Sequence, residues 1–328
     1  MNISLSVVVT TYNDEAFIEQ ALHAVAQQSY SQFDVAVVDD GSDDGTSAIA
    51  SAFCDGDERF HYHRKPNGGA SRARNYGVAQ TTGDWIALCD GDDFWAEDKL
   101  EKQLAFIRAN ERAHAQPLIA VGASLYHAGA SGKSARKLAP PPDAPLTPEH
   151  FARLRRNHAL VYLPTSTLIF KRKAFEQVGG YDPEDLAAND VSFTTRLAEH
   201  GLMLNLPEHL ATYRLYGESL TDDKFTFQRV NQNRIRENAR RRAAGEPELS
   251  YEAYLVDLKK DERAYAAFER DTRSRFFYRR ASVALLNGNP VAAARYTAQA
   301  ALYNPAFITR KVRRYLRLGQ PRAAKGQL

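Results

Sequence analysis

Cysteine is scarce in this chain, which contains only Cys54 and Cys89 among its 328 residues. So few cysteines exclude a disulfide scaffold and a cysteine-rich zinc site, and they suit a reducing compartment. Long apolar runs are also missing, since no stretch approaches the roughly 18 to 20 apolar residues that a membrane span requires. The first residues, MNISLSVVVTTYND, lack the basic region and cleavage site of an export signal. We therefore expect a cytoplasmic protein.

The overall composition is that of an ordinary globular protein, with 44% hydrophobic and 25% charged residues. It excludes wholesale disorder and a fibrous architecture. The net charge of +3 conceals two unequal parts: residues 1–224 carry 21 Lys and Arg against 31 Asp and Glu, and residues 225–328 carry 22 against 9. This asymmetry indicates two modules with different partners. The acidic part could hold a cation, and the basic part could meet an anionic surface or pack on the first.

Short apolar runs alternate with helical patterns along the acidic part. Residues 5–9, 35–38 and 85–89 are apolar runs that predict buried strands, and segments of helical periodicity separate them. The first helix is predicted to begin at Asn13 or Asp14, which are good N-cap residues. Strand–helix repetition of this kind predicts an α/β domain with a mostly parallel sheet and helices on both faces.

Polar residues follow each of the three predicted strands at the point where it ends. They lie at 10–12, 39–40 and 90–93. A single Asp pair in such a place is more commonly a turn or a helix cap. Three such ends on successive strands favour one shared crevice, because ligands of these sheets bind beyond the carboxyl ends of the strands.

Three carboxylates crowd the last of these strand ends, at Asp90, Asp92 and Asp93, and Gly91 allows a sharp turn between them. Carboxylates this close repel one another, and a hard cation such as Mg²⁺ or Mn²⁺ would neutralise them. Because few protein ligands are present, coordination positions would remain for substrate phosphates. The pattern predicts a nucleoside diphosphate bound through its metal; the alternative is an acidic helix N-terminus that complements the helix dipole.

The basic part, residues 225–328, has an almost wholly helical pattern. Residues 287–290 combine a helix stop with a helix start, and residues 278–305 have the form of one tetratricopeptide-like hairpin. Basic and apolar residues alternate over 308–318, which is typical of a helix that lies on an anionic membrane. The alternative is a helix whose apolar side packs on the protein. No RNA- or DNA-binding motif is recognisable, so we expect no nucleic-acid partner.

Four segments of the chain resemble the family 2 glycosyltransferases. They are SVVVTTYND at 6–14, VVDDGSDDGT at 37–46, NGGASRARNYGVAQTTGDWIALCDGDD at 67–93, and the pair Asn189 and Asp190. The resemblance implies a Rossmann-like GT-A domain over residues 1–224, followed by an all-helical C-terminal extension. It also implies an inverting, metal-dependent transfer of a sugar from a nucleotide-diphospho-sugar, most commonly a UDP-sugar, to a glycan or lipid-linked acceptor.

The resemblance further implies a nucleotide-binding set. Its members are Thr10, Tyr12, Asp40, Arg72, Arg74 and Asp92. Tyr12 would stack on the base and Asp40 would accept from a ring N–H, because an aromatic face and a carboxylate together recognise uracil. Asp39 would be a scaffold residue that orders the loop. Arg72 and Arg74 would contact the nucleotide or brace the acidic loops; the alternative is that they are ordinary solvated charges of a helix.

The catalytic and metal-binding residues are implied in the same way. Asp190 matches the base that deprotonates the acceptor hydroxyl, although a helix N-cap is its alternative role. Asp92 and Asp93 match the metal motif and Asp90 would support them. The bound Mn²⁺ or Mg²⁺, and no protein acid, would then serve the leaving diphosphate.

Two positions depart from the family pattern. Asn189 stands where the family commonly has Glu, which removes a charge beside the proposed base. Tyr216 stands where the family often offers a His to the metal, so fewer protein groups would hold the ion. Arg214 is a supporting candidate, because a guanidinium pairs bidentately with phosphate oxygens. These departures keep open a second hypothesis, a non-catalytic nucleotide-sugar-binding or scaffold protein derived from a glycosyltransferase.

Overall fold

The computed structural model describes residues 3–129, 136–137, 143–215 and 222–318. Tyr216 and residues 319–328 of the basic tail lie outside this part of the chain. Within it, nine strands form one mixed sheet. The strands are β1 Leu5–Thr11, β2 Phe33–Asp39, β3 Phe60–Arg64, β4 Trp85–Asp90, β5 Phe94–Trp95, β6 Leu118–Ala128, β7 Arg136–Lys137, β8 Ile169–Lys171 and β9 Leu202–Arg214.

The first four strands pair in the order β3-β2-β1-β4, and all three pairings are parallel. The sheet continues through β8, β6, β9 and β5, in which only the β6–β9 pairing is parallel. All seven residues of β1 are buried. Because successive side chains of a strand point to opposite faces, both faces of the sheet are covered at β1. The predicted α/β class and its parallel strands are confirmed.

Helices connect and cover these strands. They are α1 Ile18–Ala26, α2 Thr46–Asp55, α3 Ala70–Ala79, α4 Lys99–Asn110, α5 Pro148–Arg156, α6 Arg172–Gln177, α7 Asn189–Leu197, α8 Asp222–Ala244, α9 Tyr251–Lys259, α10 Glu262–Leu286, α11 Pro290–Tyr303 and α12 Pro305–Leu318. A 3₁₀ turn occupies Thr165–Thr167. Helix α3 packs closely on the sheet, since a Cβ on Gly77 would lie 2.3 Å from a methyl group of Val8.

The prediction that the first helix begins at Asn13 or Asp14 is wrong. Helix α1 begins at Ile18, and the Asp14 carboxylate accepts hydrogen bonds from the Thr11 hydroxyl at 2.8 Å and the Tyr12 N–H at 3.2 Å. Asn13 has a φ of 56°, in the left-handed region. Both residues therefore shape the turn after β1, because Asn and Asp form local turn bonds as readily as helix caps.

The chain divides into two compact units. The first comprises Met1–Leu215 together with Asn231–Leu249, so it includes residues beyond the boundary predicted at 224. The second comprises Tyr216–Val230 and Ser250–Leu328. The core of the first unit is the sheet with the inner faces of its helices. Within the described residues, no helix is both long enough and apolar enough to cross a membrane.

The second unit is helical, and its clearest feature is the predicted hairpin. Helix α10 ends at Leu286, and the Asn289 side chain accepts from the Ala292 N–H at 3.0 Å to cap α11. The Ser274 hydroxyl donates to the Ala300 carbonyl at 2.8 Å across the two helices. At the start of α12, Phe307 and Ile308 are buried against Ala300. The first turns of α12 thus pack on the hairpin.

Candidate active site

The carboxyl ends of β1, β2 and β4 meet at one edge of the sheet. Register places Thr10 beside Asp90 and Thr11 beside Asp39. The Thr10 hydroxyl donates to Asp90 Oδ1 at 3.3 Å, and the Gly91 N–H donates to the Thr10 carbonyl at 2.8 Å. A Cβ on Gly91 would lie 2.7 Å from the Thr11 hydroxyl, so the close approach of the two turns requires glycine. The three strand ends therefore lie side by side, and a ligand crevice at this edge stays a prediction.

Asp39 organises the turn that follows β2. Its buried carboxylate accepts from the Ser42 N–H at 2.8 Å, from the Tyr62 hydroxyl at 2.8 Å and from the Ser47 hydroxyl. Burial alone would raise the pKa of Asp39, but these hydrogen bonds outweigh it and lower the pKa. These contacts tie Asp39 to residues 42 and 47 of the following turn and to β3; its role as a scaffold residue stays a prediction.

Asp40, the next residue, faces the loop before α3. Its carboxylate is buried and accepts from the Gly69 N–H at 2.7 Å and the Gly68 N–H at 3.1 Å. The Lys65 ammonium forms an ion pair with the same carboxylate. Sequence reasoning missed Lys65, because nothing in a lone lysine 25 residues away indicates this pairing. At the same edge of the sheet the Tyr12 side chain is 48% exposed.

Asp93, in the turn after β4, is held by the protein on both of its carboxylate oxygens. Asp93 is 1% exposed, and its two oxygens accept from the Ser166 hydroxyl at 2.6 Å and the Arg214 N–H at 3.1 Å. Burial, and then the charges of Asp92 and Asp90, raise the pKa of Asp93 well above its ordinary value. Ser166 also accepts from the Asp90 N–H at 3.1 Å, so this residue of the 3₁₀ turn ties the acidic loop together.

Asp90, Asp92 and Asp93 form an acidic cluster, and its chemistry fits a divalent cation with few protein ligands. Among the described residues, no group of three His, Cys, Asp or Glu side chains could hold a metal ion by itself. Asp92 and Asp93 nevertheless supply carboxylate oxygens of the kind that Mg²⁺ and Mn²⁺ prefer. Burial is the main reason that the pKa of Asp93 is raised, and the charges of Asp92 and Asp90, which a cation would offset, add to it. Phosphate or water oxygens would have to complete the coordination.

Arg214 reaches the cluster through its backbone, while its side chain packs elsewhere. The side chain is buried, and its guanidinium lies 4.8 Å from the ring centroid of Phe17 and 4.9 Å from that of Phe94. It also donates to the Gln20 side chain in α1. The structure therefore places this guanidinium among aromatic rings. Its role toward a diphosphate stays a prediction.

Asp190 lies in the first turn of α7 and is not its N-cap. Ala188 occupies the cap position with a φ of 57°, a conformation that costs a residue with a Cβ roughly 1–2 kcal/mol. Asp190 Oδ1 accepts from the Val191 N–H at 2.8 Å. Burial raises the pKa of Asp190; Arg74 acts against this and Asp90 adds to it. A carboxyl group with a raised pKa is better suited to accept a proton near neutral pH.

Two arginines of α3 were predicted at the nucleotide, and they differ in placement. Arg74 is buried, and it donates to Asp90 Oδ1 at 2.8 Å and to Asn189 Oδ1 at 3.2 Å. It thereby joins the end of β4 to the start of α7. The Arg72 side chain is 48% exposed and lies 3.5 Å from Glu184. The acidic end of β4 and the start of α7 are thus joined through Arg74.

A cavity of about 410 Å³ lies beside α7 and the second half of α8. Among the described residues that line it, none belongs to the predicted site. Arg242 pairs with Glu199 at 2.8 Å and with Glu248 at 2.9 Å, and Arg234 pairs with Asp185. Because these charges satisfy one another, the strand ends are the better candidate for chemistry.

Comparison with known proteins identifies the family of the chain. Residues 6–179 match the family described as Glycosyl transferase family 2. The chain is 40% identical to the putative teichuronic acid biosynthesis glycosyltransferase TuaG of Bacillus subtilis over 104 residues, which cover 31% of this chain and 41% of TuaG. It is 30% identical to the uncharacterized glycosyltransferase EpsJ of the same organism over 228 residues, or 66% of this chain and 63% of EpsJ. The chain thus matches less than half the length of TuaG.

Solved structures show the same fold at low identity. TarS 1–349 of S. aureus, crystallised in complex with UDP, has a TM-score of 0.54 and 18% identity, with 98% of this chain and 93% of that chain covered. Mannosyltransferase PcManGT of Pyrobaculum calidifontis, in complex with GDP-Man and Mn²⁺, has a TM-score of 0.55 and 18% identity, with 93% and 88% covered. The predicted GT-A fold and its helical C-terminal region are confirmed. Since the family match spans more than half of its residues, the chain belongs to glycosyl transferase family 2.

Proposed function

We propose that this protein transfers a sugar, with inversion, from a nucleotide-diphospho-sugar to a hydroxyl group of a glycan or lipid-linked acceptor. The supporting observation is that Arg74 donates to both Asp90 and Asn189, so the residue before Asp190 and the acidic end of β4 have a common partner. A UDP-sugar is our preferred donor. Structures of TarS, one of the structural neighbours, have been solved in complex with UDP and with UDP-GlcNAc.

The nucleotide would bind at the ends of β1 and β2. The half-exposed ring of Tyr12 offers a stacking face for the base. Asp40, held by the amides of Gly68 and Gly69, would accept from a ring N–H with its remaining lone pairs. Thr10 and Asp92 would contact the ribose, and the exposed Arg72 would contact the nucleotide.

Asp92 and Asp93 would hold the Mn²⁺ or Mg²⁺ ion, with Asp90 in support. When bound, the ion offsets negative charge on the leaving diphosphate. Asp190 would take the proton of the acceptor hydroxyl and direct its oxygen to the face of the sugar opposite the leaving group. Burial at Asp190 assists this step, because it raises the pKa of the carboxyl group toward neutral pH.

The test is a screen of UDP- and GDP-sugars with the purified full chain, with and without Mn²⁺ or Mg²⁺. We expect one donor to release its nucleotide in a metal-dependent reaction, and we expect an acceptor to make this release faster. NMR of the product should show that the anomeric configuration is inverted relative to the donor. Glu176→Gln, a change of an exposed carboxylate in α6, is the control and should leave the rate unchanged. Tight UDP binding without turnover of any donor would instead favour the scaffold hypothesis.

A membrane-associated acceptor is a further part of the proposal. The basic residues that alternate with apolar ones over 308–318 could attract an anionic cytoplasmic leaflet, at about 1 kcal/mol for each basic residue near the surface. Against this, Phe307 and Ile308 pack within the helical hairpin. Flotation with vesicles containing phosphatidylglycerol, compared with phosphatidylcholine alone, tests it. We expect binding only to the anionic vesicles, and binding to neither would remove the membrane from the proposal.

A further inference from the structure

Arg74 is an unusual residue for a helix face that packs on a sheet. It lies on the buried side of α3 together with Ser71, Ala73, Gly77 and Val78. Its side chain is only 8% exposed. A buried guanidinium is stable only where charged or polar partners compensate for the lost hydration, so its position must be dictated by what it contacts.

The contacts of Arg74 join segments that are far apart in the chain. One terminal nitrogen donates to Asp90 at the end of β4, and the other donates to Asn189 at the start of α7. The guanidinium carbon also lies 5.3 Å from the ring centroid of Tyr181, a cation–π contact. The bond to Asp90 is the shorter of the two hydrogen bonds, and only this partner carries a charge.

Asn75, the neighbour of Arg74, binds Tyr181, at the other end of the segment 181–189. Its amide group donates to the Tyr181 carbonyl and accepts from the Tyr181 N–H, both at 2.8 Å. The Tyr181 ring is fully buried and stacks on Phe193 of α7 at 4.1 Å. Two consecutive residues of α3 therefore fix both ends of residues 181–189, the segment that leads into Asp190.

This geometry does not suit direct binding of a diphosphate by Arg74. Both terminal nitrogens already have protein partners, and the side chain is almost excluded from solvent. Arg72, one half-turn earlier, is about half exposed and is the better placed of the two to reach a ligand. The charge of Arg74 also lowers the pKa of Asp190, against the effect of burial, and so favours its ionised form.

We propose that Arg74 and Asn75 are positioning residues, which clamp residues 181–189 so that Asp190 is held at the acidic end of β4. This inference rests on the proposed function, in which Asp190 is the base. It assigns the pair an effect on the rate of sugar transfer and none on nucleotide affinity. A misplacement of about 1 Å can cost an enzyme roughly 100-fold in rate, which sets the size of the expected effect.

The experiment compares full-length variants with the donor found by the screen. We expect Arg74→Gln to lower kcat by about 100-fold and Asn75→Ala by about 10-fold, with the UDP Kd within about threefold of the wild type in both. Arg74→Lys keeps the charge and should recover part of the rate. Arg108→Gln, a change of an exposed arginine in α4, should behave as the wild type. Titration calorimetry gives the Kd, and thermal unfolding verifies that each variant is folded.

The outcomes separate the clamp from a nucleotide contact. A weakened UDP Kd with an unchanged kcat for Arg74→Gln would overturn the proposal. Should that variant fail to fold, Asn75→Ala and Asn189→Ala decide, because each removes a neutral contact; an unchanged kcat in both overturns the clamp. The proposed function is judged separately, by turnover of the wild type and its loss in Asp190→Asn. If the wild type turns over no donor, the proposed function fails and the clamp fails with it.

Discussion

The two acidic turns at the edge of the sheet each contain a buried aspartate, and the pKa values of these two aspartates are shifted in opposite directions. Asp39 after β2 and Asp93 after β4 are both almost fully buried. The pKa of Asp39 is lowered because three strong donors satisfy it, whereas the pKa of Asp93 is raised by burial and by neighbouring carboxylates. Burial alone therefore does not decide the ionisation of an aspartate. In the β2 turn, the protein itself supplies the hydrogen-bond donors that stabilise the Asp39 carboxylate. In the β4 turn, neighbouring carboxylates leave negative charge that a bound cation would offset.

Among the substitutions that test this difference between the two turns, Asp93→Asn should have the largest effect. We expect a loss of about 100-fold or more in the rate of sugar transfer, because the charge that would hold the metal is removed. Metal-free thermal stability should not fall, since the change also removes a poorly solvated charge. Activity assays and thermal unfolding with and without Mn²⁺ measure both effects. Normal activity together with a lower melting temperature would contradict the assignment.

The matching substitution in the other turn, Asp39→Asn, should act on stability. We expect the free energy of unfolding to fall by about 3 kcal/mol, because hydrogen bonds to a charged group are each worth roughly 1.5–3 kcal/mol. Urea unfolding measures this loss, and Asp43→Asn, at an exposed position in the same turn, is the control. An Asp39→Asn protein as stable as the wild type would show that the turn does not depend on its carboxylate.

The pH dependence of stability should distinguish the two turns by sign. The lowered pKa of Asp39 means that its stabilising contribution is present above the unfolded pKa and is lost as pH falls through the folded pKa. The raised pKa of Asp93 means the reverse, so its unfavourable charge is relieved as pH falls. Urea unfolding of metal-free Asp39→Asn and Asp93→Asn across acidic pH should give slopes that depart from the wild type in opposite directions. Departures of the same sign would contradict the comparison.

The smallest effect is expected where the turns meet, at Thr10. Thr10→Val removes a 3.3 Å hydrogen bond to Asp90 but keeps the shape of the side chain. We expect a loss of about 1 kcal/mol or less in the free energy of unfolding, because Arg74 still satisfies Asp90. Urea unfolding measures this loss against the wild type. A larger loss would mean that this hydrogen bond contributes more to the free energy of unfolding than its length of 3.3 Å indicates.

The sequence was sufficient to predict the parallel strands β1, β2 and β4 and the polar residues at their carboxyl ends, because polar residues follow directly after apolar runs. It could not predict contacts between residues distant in the chain. Ser166 and Lys65 satisfy carboxylates 73 and 25 residues away, and no local pattern marks either one. The bond between Arg74 and Asn189 is of the same kind. The start of α1 was misplaced because Asp14 forms a turn as readily as a helix cap.

The central claim is that Asp190 accepts the proton of the incoming hydroxyl while other residues bind the nucleotide. It is tested most directly by measuring the transfer rate of Asp190→Asn at saturating donor and acceptor, with the UDP Kd determined on the same preparation. We predict a rate lower by about 100-fold or more and a Kd within about threefold of the wild type. A variant that transfers sugar at the wild-type rate would contradict the account.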